Sequence, residues 1–169
     1  MTGAIEQILE QGQYLVTTLK QEQYDLPVRE AFGATIGAHY RHSLEHFQAV
    51  LDVDAEGVID YDARARDEEI EKDKEAALRA TKKLLTACRS LDVKVHDPVA
   101  VRCAVTAKGE DSPLVTSSYE RECMYVIVHA IHHYALIACM CQLIDVPVPS
   151  GFGMAPSTQR HQRSLATHA

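Results

Sequence analysis

Apolar positions recur at helical spacing in four long stretches of this chain, and the segments between them break the rhythm. In residues 3–23, Ile5, Ile8, Leu9, Leu15, Val16 and Leu19 stand among Gln, Glu and Lys, which predicts a helix with one apolar face. The following "DLPVREAFG" is a connection punctuated by Pro27 and Gly33. From Thr35 to about Val53 the spacing resumes through Ile36, Tyr40, Leu44, Phe47, Val50 and Leu51. Residues 52–64 lack periodicity and read as a crossover loop. Arg66 to about Leu91 carries a third stripe of Ile70, Ala77, Leu78, Leu84 and Leu85. Its acidic start and basic end suit the dipole of a helix.

The period then changes. "VKVHDPVAVRCAVTA" alternates Val93, Val95, Val99, Val101, Cys103 and Val105, which predicts two short strands around Asp97-Pro98, a β-hairpin between helices 3 and 4. "KGEDSPLVTSS" is a polar loop, and Ser117 or Ser118 caps the last helix. That helix runs to about Asp145. It is apolar nearly all round, so it is expected to be the most buried. The fold class this gives is all-α, a four-helix bundle over residues 1–150 with one long crossover; the runner-up is an irregular all-α domain. Residues 151–169 read as an irregular tail, in which Phe152 and Met154 are apolar enough to fold back over the bundle as a lid or plug.

Composition narrows the function classes. The chain has 169 residues, 46% hydrophobic and 24% charged, enough for one self-sufficient core. A net charge of −7 argues against a nucleic-acid binder. No uninterrupted apolar run approaches the ~18 residues of a membrane span, and Glu6 and Glu10 interrupt any leader-like core. The five cysteines form no C-x-x-C pair and read as buried free thiols. A cytoplasmic location, no membrane partner and, from the very apolar last helix, a homodimer are the expectations.

The histidines change the picture most. "RECMYVIVHAIHHYA" puts His129, His132 and His133 on the apolar last helix, where Leu or Ile would pack better. His129 and His133 are four apart and share a face, the spacing with which two imidazoles grip one metal ion. Further ligands must come from another helix, and "GAHYRHSLEHF" offers His39, His42 and His46 along one stripe. The alternative is a polar core network in which the histidines bond to each other, to Glu45 or to tyrosine hydroxyls. His132 sits to the side of His133, as a supporting partner or facing a neighbouring helix. Glu122, two turns before His129, is a candidate carboxylate ligand, imidazole-orienting acceptor or general base; the plainer reading pairs it with Arg121 or Arg41. At the crossover, Tyr61, Arg64 and Arg66 could bind a substrate anion, or the arginines could tie the loop to Asp62 and Asp67.

"IGAHYRHSLEHF" followed much later by "VHAIHHYALIA" resembles the DinB/YfiT-like superfamily of metal-dependent four-helix-bundle proteins. The likeness covers most of the chain in helix number, long second-to-third connection and motif order. In that family one histidine of the second helix joins an H-x-x-x-H pair of the last. A glycine about five residues before the first ligand matches Gly37, so the resemblance implies metal ligands at His42, His129 and His133, with His39 or His46 as rivals to His42. The implied ion is divalent, zinc or nickel first, iron or manganese next. Three imidazoles leave coordination positions open, as catalytic sites do. The resemblance therefore implies hydrolase or thiol-dependent transferase chemistry on a small molecule, with a low-molecular-weight thiol as one partner. The other class is a non-catalytic metal-binding or dimerising scaffold.

Overall fold

The computed structural model describes residues 2–53, 55–90, 98–106 and 112–167. Four long helices match the four periodic stretches: α1 (Thr2–Thr18), α3 (Ile36–Leu51), α5 (Lys74–Arg89) and α6 (Tyr119–Leu143). Between and after them lie the short helices α2 (Gln21–Tyr24) and α4 (Glu68–Lys72) and a C-terminal helix α7 (Pro156–Thr167). Helix α3 packs against α6 on one side and α5 on the other, and α1 packs against α5 and α6.

The expected all-α class is overturned by a three-stranded mixed sheet made of β1 (Val58–Asp60), β2 (Pro98–Arg102) and β3 (Leu114–Ser118), in that order. β1 runs parallel to β2, with Ile59 opposite Val101, and β2 runs antiparallel to β3, with Val99 opposite Ser117. A four-helix bundle with a hairpin is therefore not the fold. The predicted crossover loop contains β1, whose three residues are too few to show a period. Gly57, at φ +76°, turns the chain into it and accepts a hydrogen bond from Ala100 N. The polar loop before α6 contains β3. Of the two expected strands, the second is β2; the first falls at residues 91–97, outside the described residues. Ile59, Val99 and Val101 point into the core, so the sheet is part of one hydrophobic centre with the helices.

Helix boundaries follow capping chemistry. Thr35 accepts from Ala38 N to open α3, and Ser118 accepts from Arg121 N to open α6. The third stripe is two helices because Asp73, extended at φ −120°, ends α4 and caps α5 through Glu75 N. Gly37 lies where a Cβ would collide with the Glu71 carbonyl, so α3 and α4 approach closely at the end of α3 that carries His39 and His42.

Two further expectations are corrected. Residues read as an irregular tail form α7, while Phe152 does fold back, stacking on Tyr134 at 4.8 Å between ring centres. Helix α6 is not buried all round: Met124, Val128 and Leu143 are exposed. Among the described residues it is the one helix long and apolar enough to cross a membrane by length and composition, a test that core helices of other proteins also meet.

Candidate metal centre

Helix α3 presents His39, His42 and His46 toward α6, which presents His129 and His133 back. Of the three α3 histidines, His42 is the one whose ring nitrogen groups with those of His129 and His133, all within 4.8 Å of one another. This group can hold a metal ion: it comes from two rigid helices, and all three side chains are half-buried, neither sealed in nor fully solvated. His42 Nε2 lies 3.0 Å from His129 Nε2.

The remaining histidines surround this group. His39 Nδ1 is 3.0 Å from His133 Nδ1, which leaves His133 Nε2 for the cluster. His46, buried, has its Nδ1 2.9 Å from the His42 carbonyl, so that nitrogen carries the proton and donates. Its ring centre lies 4.1 Å from that of His129. His132 is exposed and meets only the edge of His133 among these rings, 5.5 Å between centres.

Electrostatics keep the imidazoles neutral. Burial, and then the neighbouring His46 and His133, push His42 down to about 2. Burial, followed by His129 and His39, pushes His133 down to about 3. For His46, burial brings the value to about 4 against the opposing hydrogen bond to the His42 carbonyl. His39 and His129 are lowered as well, by burial and then by His132. Neutral imidazole is the form that ligates metals.

Glu122 is fully buried, and both of its oxygens are engaged. Tyr61 Oη donates to Oε2 at 2.9 Å, while Ser117 Oγ and Arg121 Nη1 donate to Oε1 at 2.6 and 2.8 Å. It lies outside the metal-binding group. The carboxylate joins the end of β3, the start of α6 and the chain after β1; the Arg121 pairing weighed from sequence is present. Burial and Glu122 raise the Tyr61 phenol, and its ring stacks on His46 at 5.4 Å between centres. Glu122 thus reaches the histidines through Tyr61.

Sequence reasoning missed the partner of Arg64. Its Nη1 donates to His42 Nδ1 at 2.7 Å, while its Nε donates to the Tyr61 carbonyl at 2.7 Å. Nothing local signals a contact between residues 22 apart. Arg66 is exposed, at φ +51°. Arg64 also forms part of the wall of a cavity of about 450 Å³ with Leu44, Glu45, Val58, Ile70 and Leu84; no histidine among the described residues lines it.

The sequence is 36% identical over 105 residues to a protein of Rhizopus delemar named FK506-binding protein 5. The matched stretch is 62% of this chain and 27% of that relative, so the chain spans about a quarter of the relative's length. No known protein family and no solved structure matches.

Proposed function

We propose that the protein is a metal-dependent enzyme of the DinB-like type, with one divalent ion held by His42, His129 and His133. The observation carrying this reading is the convergence of three imidazole nitrogens, from α3 and α6, within 4.8 Å. An ion bound there supplies Lewis-acid polarisation of a substrate atom or lowers the pKa of a thiol. Zinc and nickel are the first ions to test, and iron and manganese follow, since imidazole donors serve several divalent metals. His39 orients His133, and His46 closes the side of the site facing Tyr61. Hydrolysis and thiol-dependent transfer on a small molecule are the two chemistries such a site favours. Glu122 serves as the anchor that fixes the start of α6 and, through Tyr61, the wall of the site, in place of a general base. The FK506 in the relative's name refers to that protein; the histidine group carries the reading here.

The test is elemental analysis of protein purified without added metal, comparing wild type with His129→Ala and His133→Ala. Near-stoichiometric metal in wild type, lost in both variants, is expected; no metal in wild type even after incubation with zinc and nickel would sink the reading. Loaded protein is then screened with low-molecular-weight thiols and small esters and amides.

A second reading has an observation of its own. The direct contacts His39–His133 and His42–His129, each 3.0 Å, allow the imidazoles to hold α3 to α6 as a scaffold without an ion. Wild-type stability that chelators leave unchanged favours it. The proposed homodimer has the exposed Met124, Val128 and Leu143 side of α6 to draw on, and sedimentation equilibrium measures it.

A further inference from the structure

We propose that Arg64 gates the metal centre: it holds His42 in the tautomer that cannot bind an ion, and metal entry moves its guanidinium from His42 to Glu45. The inference rests on the metal-binding reading above.

A guanidinium has donors and no acceptor. Because Arg64 Nη1 sits 2.7 Å from His42 Nδ1, that nitrogen must offer its lone pair. The proton of the neutral ring is therefore on Nε2, where it donates to His129 Nε2 at 3.0 Å. A protonated Nε2 has no lone pair for a cation. The same bond occupies the lone pair of His129 Nε2, so the tautomer that Arg64 imposes masks His42 and His129 together. His133 is arranged differently: its Nδ1 faces the Nδ1 of His39, and the assignment in which His39 accepts leaves His133 Nε2 free.

The structure also holds the place to which Arg64 can go. Glu45 is buried, its side chain 7% exposed, and its Oε2 has no hydrogen-bond partner among the described residues. Oε1 is occupied by Asp67 N at 3.0 Å. Oε2 already forms a long ion pair with Arg64 Nη1 at 3.8 Å, and a shift of about 1 Å turns it into a charge-assisted hydrogen bond. The Nε bond to the Tyr61 carbonyl serves as the pivot, and the cavity that both side chains line gives the guanidinium room to turn. Leaving a buried carboxylate oxygen without a hydrogen bond is unfavourable, and satisfying it offsets the lost bond to His42. The exchange is proton-neutral at His42: Nε2 gives its proton to solvent, Nδ1 takes one up, and Nε2 turns its lone pair to the ion.

Zinc titration of the full chain, by competition with a chromophoric chelator, tests this together with ¹⁵N NMR of the histidine rings. Wild type is expected to show His42 protonated on Nε2 without metal and on Nδ1 with zinc. Arg64→Leu is expected to bind zinc about tenfold tighter, the scale of effects of groups that contact metal ligands. Glu45→Gln is expected to bind it more weakly, but not when combined with Arg64→Leu. If metal-free His42 already carries its proton on Nδ1, or if Arg64→Leu binds zinc no better than wild type, the gate is overturned while the metal site stands. If neither wild type nor Arg64→Leu binds zinc, both fall. The NMR measurement on wild type decides the matter even if Arg64→Leu folds poorly.

Discussion

His39 and His133 face each other Nδ1 to Nδ1 across the α3–α6 interface, 3.0 Å apart. Two like nitrogens at that distance share one proton between them, and only one assignment leaves His133 Nε2 able to ligate: His133 donates and His39 accepts. His39→Ala is expected to weaken zinc binding by about 10–100-fold without abolishing it, because the ring of His133 loses its orienting acceptor. His133→Ala is expected to abolish high-affinity binding. Calorimetric zinc titrations of the two variants separate these outcomes; equal, complete loss in both would mean that His39 is itself a ligand.

Acidification should destabilise the metal-free protein. His42, His46 and His133 have folded values pushed down to about 2, 4 and 3, against an ordinary 6.5. Below about pH 6.5 the unfolded chain therefore binds protons that the folded chain refuses, and stability falls as pH falls. The contribution is fully present above the unfolded value and is lost progressively toward the folded ones. Thermal denaturation at pH 7.5, 6 and 5 should show a decreasing midpoint, with a shallower decrease in His46→Gln. A midpoint independent of pH over that range would contradict the burial of these rings.

Glu122 organises three elements and does not belong to the metal-binding group. Glu122→Ala removes the acceptor for Tyr61, Ser117 and Arg121 and is expected to cost about 3 kcal/mol by urea denaturation. Zinc stoichiometry should stay unchanged at temperatures where the variant is folded. Loss of zinc from a folded variant would make it a ligand.

Phe152 anchors the segment after α6. It is buried and lies nearly parallel to the Tyr134 ring, 10° between planes. Gly153, at φ +69°, sets its backbone so close to Tyr134 and Ala135 that a Cβ could not be placed there. Phe152→Ala is expected to cost about 3 kcal/mol. Urea unfolding measures it, and an effect below about 1 kcal/mol would show that the anchor is loose.

The long helices and the His129–His133 pair were legible in the sequence because both depend on spacing within one element. Hydropathy makes α6 look buried all round, but it does not show which of its apolar residues, Val128 among them, face outward. β1 and β3 were illegible because their pairing is tertiary: Ile59 finds Val101 and Ser117 finds Val99 across long stretches of chain. The choice of His42 over His39 and His46 came from a resemblance; spacing left the three level, and the facing helix separates them. Arg64 was read as a substrate binder or a tie to Asp62 and Asp67, and its bond to His42 depends on how the loop after β1 closes over α3.

The junction between β3 and α6 has no linker: Ser117 pairs in the strand, and Ser118 both ends the strand and caps the helix. The sheet therefore works as an indexing device for the helix that follows. One residue of slippage between β2 and β3 would exchange the two faces of β3 and displace the Ser118 cap from which α6 starts. The small sheet that breaks the all-helical expectation thus fixes where α6 begins, and packing against α3 turns His129 and His133 toward His42.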